Sequence, residues 1–380
     1  MLFPEFKTFG TEEILSVLGG LSFLLLIIHY FLMYWPAAAL KGISSVQNSN
    51  SEPVSIIICA RNEDENLTEF LPKVLSQDYP KYEVLVVNDC SNDNTENVID
   101  EFAKIFPHLK KINIKEDGYY KHGKKFAVMV GIKGAQYENL IFTDADCFPA
   151  SDQWLKQMAS TFTNEKEIVL GYGAYIKTEG FLNKLIRFDT FTIALHYLSA
   201  ALKGNAYMGV GRNLAYKKSL FFKHKGFSNH YHINSGDDDL FVNLAANAVN
   251  TNVCISGDSI TYSKTQKTFT NWRRQKQRHL TTSPHYNSGS KFLLITDYAF
   301  KYSFYAMLVV LLCFKCTMLI SVGLFLLKVI FQMIIFNKAA KKFNEPDLWA
   351  MAFAYEFILL LIYPVFHVYK MFYKPNKWTN

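Results

Sequence analysis

From Ile14 to Trp35 the chain contains no Asp, Glu, Lys or Arg and is almost purely apolar. A stretch of that length crosses about 30 Å of hydrocarbon as a helix, and among open backbone forms only a helix satisfies its own N–H and C=O groups in lipid. It is longer than the apolar core of a secretory signal, and no basic segment precedes it. Glu5, Glu12 and Glu13 lie before it and Lys41 follows. The positive-inside rule therefore puts the N-terminus outside and the next segment in the cytoplasm. Near the other end come two further apolar stretches, Phe300 to Phe336, interrupted by Lys315, and Leu348 to Tyr369. The first is long enough for one tilted span or for a hairpin of two short ones. Lys338, Lys341 and Lys342 on one side and the basic tail on the other leave its sidedness open. The expectation is a hairpin plus a final helix.

Composition supports a membrane protein with one water-facing domain. Half of the 380 residues are hydrophobic and 16% are aromatic, but this apolar excess sits at the two ends. The net charge of +7 fits basic flanks at a membrane. The one dense basic cluster, Arg273, Arg274, Lys276 and Arg278, carries no nucleic-acid module, so no nucleic-acid partner is expected. The six cysteines show no paired zinc spacing in the polar part and are read as reduced thiols. The Cys313/Cys316 pair falls in an apolar run, where helix packing is the expected role.

Between these ends the pattern is α/β. Val54 to Cys59, Tyr82 to Val87 and Asn139 to Thr143 are continuous apolar runs, with a further strand over Lys111 to Ile114. Helices are expected over Glu63 to Ser76, Thr95 to Phe106 and Lys124 to Gly134. Continuous apolar strands separated by helices make a parallel sheet covered on both faces. Ligands of such sheets bind beyond the carboxyl ends of the strands, here just after Ala60, Val87 and Thr143.

Polar residues gather at those ends: Ala60-Arg61-Asn62-Glu63, Asn88-Asp89-Cys90-Ser91-Asn92-Asp93-Asn94-Thr95 and Asp144-Ala145-Asp146. Two carboxylates one residue apart can reach a single hard cation, and Mg²⁺ or Mn²⁺ so held bridges phosphate oxygens. A bare triplet of this kind is more often a solvated turn; following a buried parallel strand, it is much less so. Asp237-Asp238-Asp239 also suits a helix N-terminus, where the dipole favours acids. Trp272, Arg273, Arg274 and Arg278 also fit an amphipathic helix lying on an anionic leaflet.

These segments, in this order, resemble glycosyltransferase family 2. Val54-Ser-Ile-Ile-Ile-Cys-Ala-Arg-Asn-Glu63 is similar to the family's first strand and loop. Val86-Val-Asn-Asp-Cys-Ser-Asn-Asp-Asn-Thr95 is similar to V-V-D-D-G-S-x-D-x-T, with Asn88 and Cys90 as departures. Gly123-Lys124-Lys125 resembles a G-K segment, and Thr143-Asp-Ala-Asp146 the metal-binding D-x-D. Ser235-Gly-Asp-Asp-Asp-Leu240 is similar to a T/G-E-D-x-D-L segment, with Gly236 in place of Glu. Gln275-Lys-Gln-Arg278-His279 is similar to Q-x-x-R-W, with His279 replacing a Trp that helps polymerising members hold the acceptor sugar. Met208-Gly-Val-Gly-Arg-Asn213 resembles a glycine segment where the backbone approaches the acceptor. The resemblance covers roughly Pro53 to Leu280.

It implies a GT-A fold, α/β with a mostly parallel sheet, flanked by N- and C-terminal transmembrane helices. The expected division is 1–40 anchor, 41–52 linker, 53–290 GT-A domain and 291–380 membrane region of two or three helices. The implied activity is inverting transfer of a sugar from a nucleotide-diphosphate donor, a UDP-sugar first, to a lipid-linked or polysaccharide acceptor. The setting is a cell (inner) membrane with the catalytic domain cytoplasmic. Ala60, Arg61, Glu63, Asp89, Lys124, Asp144, Gln275 and Arg278 would contact the donor, Asp89 at the base or ribose. Asp144 and Asp146 would hold Mg²⁺ or Mn²⁺. Asp237 would deprotonate the acceptor, with Asp238 as its rival. Two other readings stand beside this one. A sugar-phosphate nucleotidyltransferase usually opens with a Gly-rich phosphate loop, which Ala60 to Glu63 lacks. A non-catalytic membrane scaffold or export component is kept open by the departures at Asn88, Cys90, Gly236 and His279.

Overall fold

A computed structural model describes residues 10–40, 52–115, 123–233, 235–314 and 317–372. The expected linker, apart from Glu52, lies outside the described residues, as do Lys41, Lys315, Cys316 and most of the basic tail. Described elements run α1 (Thr11–Met33), α2 (Trp35–Ala39), β1 (Val54–Ala60), α3 (Asp64–Leu75), β2 (Tyr82–Asp89), α4 (Thr95–Ile105), β3 (Leu109–Ile114), α5 (Lys124–Gly134), β4 (Asn139–Asp144) and β5 (Cys147–Pro149). They continue with α6 (Trp154–Ala159), β6 (Ile168–Leu170), β7 (Gly173–Tyr175), α7 (Phe181–Leu202), β8 (Leu214–Lys217), α8 (Lys218–Lys223), α9 (Asp239–Ala245), β9 (Thr251–Val253) and β10 (Thr261–Ser263). The last four are α10 (Phe269–His279), α11 (Ser288–Leu312), α12 (Met318–Lys342) and α13 (Ala352–Met371).

A seven-stranded sheet has the order β3-β2-β1-β4-β8-β6-β9. Its first four strands are parallel, and β8 is antiparallel to β4 and β6. Every residue of β1 is buried, which the run Val-Ser-Ile-Ile-Ile-Cys-Ala requires of a strand covered on both faces. Leu67, Leu71, Val74 and Leu75 of α3 recur at helix spacing and cover one face, while Phe70 stacks on Phe148 of β5. On the other face α5 lies close to the sheet, because a Cβ at Gly131 would come within 2.7 Å of Ile57 Cγ2. That approach aims the N-terminus of α5, and Lys124, at the strand ends.

Among the described residues, four helices are long and apolar enough to cross a membrane: α1, α11, α12 and α13. The expected pair of short spans is instead two full ones of 25 residues each. α11 starts at Ser288, well before the apolar stretch and before the expected boundary at 291. Asp297 and Lys301 stand one turn apart on it and pair with each other at 2.8 Å, so both charges are absorbed inside the bundle. The amphipathic helix expected on the membrane surface is α10, but Trp272 is fully buried and packs against Phe366 of α13. Arg273 lies 4.3 Å over the Tyr369 ring. The helix therefore docks on protein rather than lipid along that face.

Candidate active site

The loops after β1 and β2 are tied together by their own motif residues. Asn62 N–H donates to Ser91 Oγ at 3.0 Å, Asn92 N–H to Asn62 Oδ1 at 2.8 Å, and Glu63 N–H to Thr95 Oγ1 at 2.8 Å. Ser91 and Thr95 therefore serve as cross-loop fasteners. Arg61 Nη1 is 3.9 Å from Asp89 Oδ2, and the Asp89 side chain is buried. Asn88 donates to Asn113 Oδ1 at 3.1 Å, so neutral amides meet where a carboxylate would bring charge between strands. Ala60, at the end of β1, is fully buried.

Asp144 ends β4, and its side chain meets Lys124 at 2.8 Å. The same ammonium lies 3.3 Å from Asp237 Oδ2. Burial acts to lower the Lys124 pKa, but Asp144, Asp237 and Asp238 raise it well above the usual lysine value. Burial opposes the charge on Asp144, yet Lys124, Arg212 and Arg278 hold its pKa below the ordinary range. Burial and the neighbouring Asp144 push Asp146 upward. Glu63 is raised to about 7, chiefly by burial.

Donor atoms of Asp144, Asp146 and Cys147 lie within 4.8 Å of one another. Burial and Asp146 push the Cys147 thiol well up, so it stays protonated, and its Sγ contacts Asp146 Oδ1 at 3.3 Å. What remains is an oxygen pair, the donor chemistry that suits Mg²⁺ or Mn²⁺. The residues fit such an ion, and they involve no histidine.

Opposite the pair, Asp238 caps α9 by accepting from Asp239 N–H at 2.8 Å, and it accepts from Gly211 N–H at 2.7 Å. Burial and the adjoining Asp237 and Asp239 raise Asp238 to about 7. Asp239 points elsewhere, accepting from Thr282 Oγ1 at 2.5 Å and Tyr286 OH at 2.7 Å. Gly236 has a φ of 93°, and a Cβ there would lie 2.4 Å from Leu240. The local backbone therefore excludes the Glu of the related segment. Of the two glycines before β8, Gly209 is a packing position, with Leu214 2.9 Å from its would-be Cβ, and Gly211 is the one facing Asp238.

A single cavity of about 2200 Å³ gathers Glu63, Lys124, Asp144, Asp146, Asp237, Asp238, Gln275 and Arg278, with His279 on its wall. Ala60, Arg61 and Asp89 lie outside its lining. Gln275 Oε1 accepts from Tyr175 OH at 3.4 Å. Sequence reasoning missed Tyr175 and Arg212. The Arg212 guanidinium stacks 4.3 Å over the Tyr175 ring and donates to Ser263 Oγ at 2.9 Å. Its carbonyl accepts from Thr143 and Thr261 at 3.1 and 2.9 Å, which ties it to the end of β4. A lone Arg between a glycine and a strand carries no signal that it will face carboxylates of another segment.

Residues 55–224 match the profile of Glycosyl transferase family 2. A segment is 34% identical over 141 residues to glycosyltransferase AglE of Haloferax volcanii, covering 37% of this chain and 45% of that protein. Another is 33% identical over 120 residues to poly-beta-1,6-N-acetyl-D-glucosamine synthase of Staphylococcus epidermidis, covering 32% and 28%. The chain thus spans less than half the length of these curated relatives. In three dimensions it is similar to the mannosyltransferase PcManGT from Pyrobaculum calidifontis, solved with GDP-Man and Mn²⁺. The TM-score is 0.55 at 16% identity, covering 90% of this chain and 98% of that one. The fold is GT-A, joined to membrane helices.

Proposed function

With residues 55–224 belonging to glycosyltransferase family 2, we propose that the chain is a membrane-anchored inverting glycosyltransferase. It would move a sugar from a nucleoside-diphosphate donor, a UDP-sugar first, to a lipid-linked acceptor at the cytoplasmic face. The observation that carries this reading is Lys124 standing between Asp144 and Asp237, with Asp146 and Asp238 in the same cavity. Donor-side and acceptor-side carboxylates are thus joined through one ammonium on the wall of the same cavity.

Asp144 and Asp146 would hold the divalent ion, which when bound neutralises charge on the departing diphosphate. Lys124, Arg212 and Arg278 present positive charge to the same oxygens, and guanidinium forks match phosphate geometry. Asp237 takes the proton of the acceptor hydroxyl. The acceptor oxygen bonds to the anomeric carbon from the face opposite the leaving group, and the carbon–oxygen bond to the diphosphate breaks with its electron pair. Both Asp238 oxygens hold backbone N–H groups, so Asp238 positions the turn at Gly211 and the start of α9. The test is hydrolysis of a nucleotide-sugar panel by detergent-purified protein with Mn²⁺, Mg²⁺ or EDTA, beside Asp146→Ala and Asp237→Asn. Metal-dependent turnover of one donor, lost in Asp146→Ala, is expected. Asp237→Asn should still bind that donor but transfer at least 10²-fold more slowly. If no donor is bound or turned over under any metal condition, the reading fails and the scaffold alternative takes its place.

A further inference from the structure

Where α1, α7 and α11 meet, three side chains that the proposed reaction does not use face one another. They are His29 of α1, His196 of α7 and Asp297 of α11, each more than nine-tenths buried. A ring nitrogen from each histidine and a carboxylate oxygen of Asp297 all lie within 4.8 Å of one another. His29 Nε2 is 2.9 Å from Asp297 Oδ1. The His29 and His196 rings are 6.1 Å apart between centroids. His196 is the member that hydrogen bonding leaves unexplained. Its Nδ1 lies 2.8 Å from Tyr207 OH, and its Nε2 has no hydrogen-bond partner among the described residues. A buried polar atom left unpaired is costly and rarely carried without a use. Burial holds the ring's pKa down at about 4, so the ring is neutral and Nε2 keeps its lone pair. A second partner on the other ring nitrogen, here Tyr207, is how metal-bound imidazoles are oriented.

Lys301 is the charge that opposes a cation here. It pairs with Asp297 Oδ2 at 2.8 Å and donates to Tyr34 OH at 2.7 Å, so Oδ1 is the oxygen turned towards His29. Tyr34 OH donates to Oδ1 at 2.8 Å, a bond that a metal-bound carboxylate oxygen can still accept. Tyr34, His196, Asp297 and Lys301 also line the catalytic cavity, which gives an ion a way in. Two imidazoles and one carboxylate are the mixed nitrogen and oxygen set that suits Zn²⁺, whereas Mg²⁺ keeps to oxygen ligands.

We propose that His29, His196 and Asp297 bind a divalent transition metal, Zn²⁺ first, at a second site apart from Asp144 and Asp146. The ion takes the place of the His29 Nε2 proton, which the ring then carries on Nδ1, and a water completes the tetrahedron. It ties the N-terminal span and α11 to α7 of the catalytic domain. The site stands whether or not the transferase reading does. For the test, the full chain carrying Asp146→Ala, which disables the oxygen pair, is purified in detergent, stripped with EDTA and titrated with Zn²⁺ alone. Tight uptake of one ion is expected, with a higher thermal midpoint. Zinc-edge X-ray absorption should show two imidazoles at about 2.0–2.1 Å. The oxygen pair contains no histidine, so that scattering does not come from it. Tyr207→Phe keeps all three ligands but loosens one ring, and should weaken uptake by about 10–100-fold. His196→Gln should weaken it further, and Lys301→Met should tighten it by removing a like charge. No uptake, or uptake without imidazole scattering, overturns the site. So does uptake unchanged in His196→Gln, which would place the ion on the exposed pair His232 and His285. Should His196→Gln not fold, Tyr207→Phe and Lys301→Met decide by their opposite signs, and no change in either overturns the site.

Discussion

Cys90 stands where the related motif has glycine, and its φ of 54° lies in the left-handed region. That conformation costs an L side chain about 1–2 kcal/mol. The thiol recovers part of this by donating to the Ile114 carbonyl at 3.2 Å. Cys90→Gly is therefore expected to raise the unfolding free energy by about 1 kcal/mol, read as a higher thermal midpoint in detergent; an unchanged or lower midpoint contradicts the strain argument. Arg212 carries the other prediction at this scale. It is the guanidinium held rigidly beside Asp144, by Tyr175 on one face and Ser263 at its edge. A preorganised donor aimed at developing charge is typically worth about 10²–10³ in turnover. Arg212→Gln should lower donor turnover by about 10² without weakening Mn²⁺ binding, because it removes a like charge from the metal's neighbourhood. Arg212→Lys should fall between. Wild-type turnover in Arg212→Gln would remove Arg212 from the leaving-group role.

Among the elements, α7 joins the catalytic half to the membrane half. Arg187 bonds Asp347 at 2.8 and 3.0 Å and pairs closely with Glu345, both in the turn between α12 and α13. Asp189 pairs with Lys276 of α10 and accepts from Tyr363 OH of α13 at 2.6 Å. The two acids on Arg187 respond to pH in opposite senses. Hydrogen bonds from Arg187 hold Asp347 at about 2, below its usual value. Its contribution is present above the unfolded value near 4 and is lost as pH falls towards 2. Burial pushes Glu345 up to about 7 despite Arg187 and Tyr172. The folded state then binds more protons than the unfolded one between about 4.5 and 7, and stability declines as pH rises through that window. Asp347→Asn should flatten the acid limb of thermal stability against pH, and Glu345→Gln the limb from about 4.5 to 7. If neither limb changes, α7 is not anchored through this guanidinium. None of this coupling was legible in the sequence, because it joins distant segments. β1, β2, β4 and α5 were legible because each is one local pattern, a continuous apolar run or a helical period behind a Gly-Lys start. The three-residue strands β5, β6, β7, β9 and β10 are too short to show a period. The paired acids of the site were legible for the same local reason, and Arg212 was not.

At the scale of the whole molecule, the membrane bundle is held by polar contacts placed where lipid would not tolerate them alone. Glu356 of α13 accepts from Lys328 of α12 at 2.6 Å, from Tyr305 of α11 and Gln332 of α12 at 3.2 Å each, and from Tyr30 of α1. Nearer the soluble domain, Asp297 accepts from Tyr34 at 2.8 Å and Lys301 at 2.8 Å, and lies 2.9 Å from His29 Nε2. One carboxylate thus collects all four spans, and a second fastens α1 to α11. Apolar packing alone gives little preference among helix arrangements in lipid, whereas a buried charge strongly penalises any arrangement that strands it. The Lys328–Glu356 pair is therefore expected to fix the arrangement more than to add stability. Lys328→Met leaves Glu356 buried without its cation and should destabilise the bundle by about 3–5 kcal/mol. Adding Glu356→Gln removes the stranded charge while keeping an acceptor for Tyr30 and Tyr305. Most of the loss should then return, as it does when both members of a buried pair are replaced together. Thermal unfolding of the single and double variants in nanodiscs measures this, and a double variant no more stable than Lys328→Met would mean that the pair stabilises by direct attraction rather than by penalising misplacement.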